Sequence, residues 1–151
     1  MTTTITLSPE HGYVLATFLF SAAVNFWLTV RVGNARSKYN VQAPAAYSIE
    51  LKDGKIDQNN MFNCYQRSHQ NFLENYFMVM GLMFIAAIQY PVYAAVAACS
   101  MLVGRIIFSV GYTSKNPDRR FWGEPLKFLG FLALVGMASA ATLSVLGFFQ
   151  G

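Results

Sequence analysis

The stretch Phe62–Tyr76, FNCYQRSHQNFLENY, stands directly before Phe77–Ile88, FMVMGLMFIAAI, an uncharged and almost wholly apolar run. Its twelve residues are too few to cross a hydrocarbon core, which takes about 20 helical residues. A spanning helix must therefore reach back through the polar stretch. At about 100° per residue, Arg67, Asn71 and Glu74 fall within roughly 60° of one another, and His69 lies near the opposite side. One helix face thus carries a cation, an amide and a carboxylate. Charge at membrane depth is tolerated only against protein, water or a ligand, which makes this stripe the candidate functional site.

The composition agrees with a membrane chain. Of 151 residues, 54% are hydrophobic and 12% charged, against about 25% charged in soluble domains, and the length suits one domain over residues 1–151. The net charge of +4 does not point to nucleic acid, because the Lys and Arg residues flank hydrophobic spans and form no basic surface stripe. Cys64 and Cys99 match no zinc or haem spacing and make no disulfide framework. Cys64 and His69 diverge by about 140° on a helix, which disfavours a nucleophile–base pair. No second His or Cys stands at metal spacing from His69, so no metal is expected. The N-terminus lacks a basic n-region, so the first apolar run reads as an anchor.

Taken in order, Tyr13–Val30 is an uncharged first span with Asn25 as its only strongly polar member. A hydrophilic connection follows to about Asn60, with Pro44 and Asp53-Gly54 as turn signals. After the second span, Pro91 suits the first position of the third helix. That helix, rich in Ala and Gly, holds one charge, Arg105, which should point inwards and find a partner; Glu74 is the candidate. Phe121 and Trp122 are placed as interface anchors. In the uncharged run Phe128–Phe149, Gly136, Ala140 and Ser144 form a small-residue stripe suited to close packing. Strand alternation is absent. The expected architecture is an all-α integral membrane four-helix bundle, with helices at about 12–36, 60–89, 91–113 and 124–149.

Ten of the eleven Lys and Arg residues lie in or beside the two longer loops. The positive-inside rule puts those loops in the cytosol and both termini on the other side. Arg67, Asn71, Glu74, Tyr112, Arg119 and Arg120 then gather at one membrane face. A ligand suited to them carries carboxylates for the arginines, an ammonium for Glu74 and amides for Asn71; glutathione has all of these. The plainer alternative is an ion-pair network of Arg67, Glu74 and Arg105 that only holds the bundle together.

The run FNCYQRSHQNFLENY, with NARSKY at Asn34–Tyr39 and GRIIFSVGY at Gly104–Tyr112, closely resembles the microsomal glutathione transferases of the MAPEG family, most nearly the type-three enzymes. The resemblance covers nearly the whole chain. It implies a homotrimer in the endoplasmic-reticulum membrane, with glutathione bound as co-substrate between subunits near the cytosolic face and both termini lumenal. It further implies glutathione contacts from Arg36, Arg67, His69, Asn71, Glu74 and Tyr112, with His69 and Arg36 offered to the neighbouring subunit, and thiol activation by Arg119. The second substrate would be a lipophilic electrophile or a lipid hydroperoxide met in the membrane lipid. Phe108, Asn75 and Ser37 depart from the leukotriene-synthesising branch, which has tyrosines at the first two places and an arginine at the third. The alternative within the family is a non-enzymatic lipid-presenting protein like its lipoxygenase-activating member.

Overall fold

The spacing of Val14, Thr17, Ser21, Val24 and Leu28, alternately three and four residues apart, puts one residue per turn on one side of α1 (His11–Lys38), and these are residues it buries. That is the spacing of a left-handed helix seam. The other sides are apolar as well, with Leu15, Leu19 and Phe26 exposed. A helix that is apolar all round belongs in lipid. The computed structural model describes residues 7–49, 51–52, 55–56 and 60–148. Four helices make the bundle: α1, α2 (Met61–Ala87), α3 (Pro91–Tyr112) and α4 (Glu124–Val145). α1, α3 and the stretch Pro117–Val145 are each long and apolar enough to cross a membrane. α2 is 27 residues long, about 40 Å at 1.5 Å per residue, and joins a polar first half to an apolar second half.

α3 lies at the centre, because its alanines and glycines let the other elements approach. Pro91 opens it at the first helical position, where a missing N–H costs nothing. A 3-10 helix, Pro117–Gly123, folds back along its last turns. At Gly123 a Cβ would stand 2.2 Å from the Gly104 carbonyl oxygen, and at Gly111 one would stand 2.4 Å from that of Arg119. These two glycines allow the backbones to touch. α4 packs through Gly130, Leu134, Ala138 and Ala141. Within the single chain the expected stripe makes no close helix contact: a Cβ at Gly136 would meet nothing within 4 Å, and Ala140 and Ser144 are only half-buried. α4 is apolar on all sides, so nothing in its pattern says which side turns inwards.

A ladder of hydrogen bonds joins α1 to its neighbours, buried at Thr17 and Ser21 and open at Thr29. The Thr17 hydroxyl donates to the Tyr13 carbonyl and lies 3.3 Å from Cys99 Sγ, which places half-buried Cys99 at the α1–α3 seam. Ser21 donates to Phe18, so its 2.9 Å contact with the Tyr76 hydroxyl is one in which the tyrosine donates. Asn25 Oδ1 lies 3.0 Å from His69 Nε2, and Thr29 Oγ1 lies 3.4 Å from the same nitrogen. Of these rungs Thr17 and Ser21 are buried, and their alternation with Val24 and Leu28 fixes the rotation of α1, since a slip there leaves a polar group unpaired in an apolar interior. The connection between α1 and α2 holds a small antiparallel pair, β1 (Leu51–Lys52) and β2 (Lys55–Ile56), with Leu51 opposite Ile56. The Asp53-Gly54 turn signal lies outside the described residues. Asn60 caps α2 by accepting from the Phe62 and Asn63 N–H groups.

Candidate functional site

Helical periodicity puts Arg67 and Glu74 on one face of α2, and there they meet. Arg67 Nη1 stands 3.6 Å from Glu74 Oε1, with both side chains nearly half exposed. The Tyr47 hydroxyl also faces the Arg67 guanidinium. Asn71, on the same stripe, turns towards α3 and accepts a hydrogen bond from Arg105. The candidate partner for Arg105 was Glu74; the structure gives it Asn71. The register between the antiparallel α2 and α3 decides this, because Arg105 comes level with Asn71 and Asn75 while Glu74 reaches outwards to Arg67.

Between α2, α3 and α4 runs an open groove of about 480 Å³. Asn71, Asn75, Arg105, Glu124 and Lys127 line its polar part, and Met78, Met101, Phe128 and Phe131 are among its apolar walls. Lys127 is buried on α4, its Nζ 2.5 Å from Glu124 Oε1 and 4.2 Å from the centre of the Phe108 ring. Such a pair places a lysine in an apolar setting by giving it a carboxylate and a ring face. Sequence reasoning missed both residues. A lone Lys–Glu couple three apart at the entry of an uncharged span was the available signal.

The 3-10 helix carries the two candidate activating arginines. Arg119 is exposed, its guanidinium 5.6 Å from the Trp122 ring centre. Arg120 lies between two rings, 4.8 Å from that of Tyr112 and 4.7 Å from that of Phe121. Tyr112 is therefore covered on one ring face by Arg120.

Arg36 and His69 are engaged elsewhere within the chain. Arg36 Nη1 donates to the Ala45 carbonyl at 2.8 Å and lies over the Phe62 ring. His69, on the side of α2 away from the Arg67 stripe, faces α1 at the Asn25–Thr29 rung. Arg67 and Glu74 meet, Asn71 of the same stripe turns to Arg105, and Tyr112 pairs with Arg120; Arg36 and His69 are held by other partners within one chain. Arg31, directly after the first apolar run, donates to Ser109 at 2.6 Å and to Thr113, with Trp27 and Tyr65 rings on its guanidinium. It ties three helices together at the end of the bundle that holds the stripe.

The family model described as MAPEG family matches residues 14–143, from within α1 to within α4, and so takes in α2, α3 and the 3-10 helix whole. An uncharacterized protein of Synechocystis sp. is 33% identical over 147 residues, covering 97% of this chain and 93% of that one.

Proposed function

The chain belongs to the MAPEG family of membrane proteins, and from that premise we propose that it uses glutathione against lipophilic electrophiles or lipid hydroperoxides. The observation that carries this reading is the Arg67–Glu74 pair. Both partners stand on one helix, so their 3.6 Å contact ties nothing across the bundle. An ion pair kept as a staple would join two helices and be sheltered from water. This one is nearly half exposed and worth little to stability, and it leaves a guanidinium and a carboxylate available to an incoming zwitterion. Glutathione fits that demand, with carboxylates for Arg67 and an ammonium for Glu74.

Its cysteine thiol, with a free pKa near 8.5, is only about 3% thiolate at pH 7. A guanidinium beside the sulfur favours the anion. Arg119 is assigned that task on the family likeness, with Arg120 as the alternative; its exposure leaves the guanidinium free to swing. In transfer, the thiolate sulfur attacks an electrophilic carbon, an S–C bond forms, and the leaving group or opened ring takes the electron pair. In peroxide reduction, the sulfur attacks the terminal peroxide oxygen and the O–O bond breaks. The alkoxide takes a proton to become an alcohol, and the sulfenic acid reacts with a second glutathione to give the disulfide and water. The apolar walls of the groove suit an acyl chain arriving from lipid.

The reading includes a type-three-like homotrimer in the endoplasmic-reticulum membrane, four spans with α2 as one of them, the site towards the cytosol, and Arg36 and His69 serving a neighbouring subunit. The test is glutathione added to detergent-purified protein. A ligand at 100 times its dissociation constant adds about 2.7 kcal/mol, so the melting temperature should rise, and turnover should be seen with a model electrophile or a lipid hydroperoxide. No shift and no turnover would refute the reading and favour a lipid-presenting protein.

A further inference from the structure

Nothing in the sequence marks Tyr47, yet the fold carries it from the long connection to the Arg67 stripe. The segment around it is strapped to the bundle by side chains from two helices. Arg36 of α1 donates to the Ala45 carbonyl. Asn63 of α2 makes a two-way pair with Ser48: its amide nitrogen donates to the Ser48 carbonyl, and its oxygen accepts from the Ser48 N–H, each at 2.9 Å. Tyr47 lies between these fixings. Its hydroxyl donates to Gln70 Oε1, and its oxygen faces the Arg67 guanidinium.

A phenol has one proton and an oxygen that accepts. With Gln70 holding the proton, the oxygen is presented to Arg67. When an anion docks on Arg67, the hydroxyl has only to turn its proton from Gln70 to the new acceptor. Tyr47 is 38% exposed, so the anion can reach it, and the strap holds it in place before any ligand comes. We propose that Tyr47 is a ligand-contacting residue of this site, its hydroxyl oriented by Gln70 and bound to the same carboxylate that docks on Arg67. The inference rests on the proposed use of glutathione, which has two carboxylates.

The experiment measures binding of glutathione, its glycine monoethyl ester and cysteinylglycine to wild type, Tyr47→Phe and Gln70→Leu. The two analogues each lack one of the carboxylates. Tyr47→Phe should bind glutathione about tenfold more weakly, the size of one hydrogen bond to a charged group. Its ligand-free melting temperature should not change, and Gln70→Leu should fall in between. With the analogue that lacks the contacted carboxylate, wild type and Tyr47→Phe should bind equally. Equal affinity for glutathione itself overturns the inference and leaves glutathione use standing. A loss that persists with both analogues assigns Tyr47 to holding the strap and also overturns it. Failure of the wild type to bind glutathione removes the underlying reading and the inference with it.

Discussion

Gly111→Ala should displace the segment that carries Arg119 and Arg120. Gly111 lies on the last turn of α3, against the 3-10 helix, and a Cβ there would stand 2.4 Å from the Arg119 carbonyl oxygen and 2.9 Å from the Arg120 nitrogen. Ordinary contact begins at 3.4 Å, so the segment must retreat by about 1 Å. Both atoms are backbone, so no side-chain rotation relieves the clash, and overpacking of this kind costs about 1–3 kcal/mol. If the retreat takes the guanidinium from the sulfur and its effect is about two pKa units, thiolate at pH 7 falls from roughly three quarters to about 3%, a 25-fold loss. At pH 9 the unaided thiol is already mostly ionised, and the loss should shrink to about 1.3-fold. The assay is turnover against pH at saturating glutathione and second substrate, beside Gly33→Ala, whose Cβ meets nothing within 4 Å and which should match wild type. A folded Gly111→Ala with wild-type turnover at pH 7 would refute the reasoning. A loss equal at pH 7 and pH 9 would refute the thiolate account.

Arg119→Ala should show the same pH-dependent loss with little change in glutathione affinity, whereas Arg67→Ala should weaken glutathione binding at every pH; collapse in Arg120→Ala beside an unchanged Arg119→Ala would move the activating role one residue along. Asn60→Ala removes the α2 cap and should lower stability by about 0.5–2 kcal/mol in a denaturant melt, with no change in the pH profile. Asp53→Cys in sealed microsomes should label from the cytosolic side, and labelling only after the vesicles are opened would reverse the orientation. Detergent-corrected mass should give a trimer, and a fully active monomer would exclude a site shared between subunits.

The sequence by itself determined what depends on one helix at a time. Apolar runs of spanning length, and a polar stretch that α2 must include, were enough for the all-helical membrane bundle. The 3.6-residue period put Arg67, Asn71 and Glu74 together and turned His69 away, because angles along a single helix follow from counting. What lay between helices was not legible. Arg105 meets Asn71 and not Glu74, since the register of two antiparallel helices is set by packing along their whole length. The inner face of α4 holds Gly130 and Leu134 and not Gly136, because a helix apolar on every side carries no amphipathic mark of its inward face. Tyr47 reaches Gln70 across 23 residues of chain, and the 3-10 helix sets Arg120 on Tyr112 only because Gly111 and Gly123 let two backbones touch. Periodicity assigns a residue to a face of its own helix; only the tertiary structure decides which faces, loops and arginines meet.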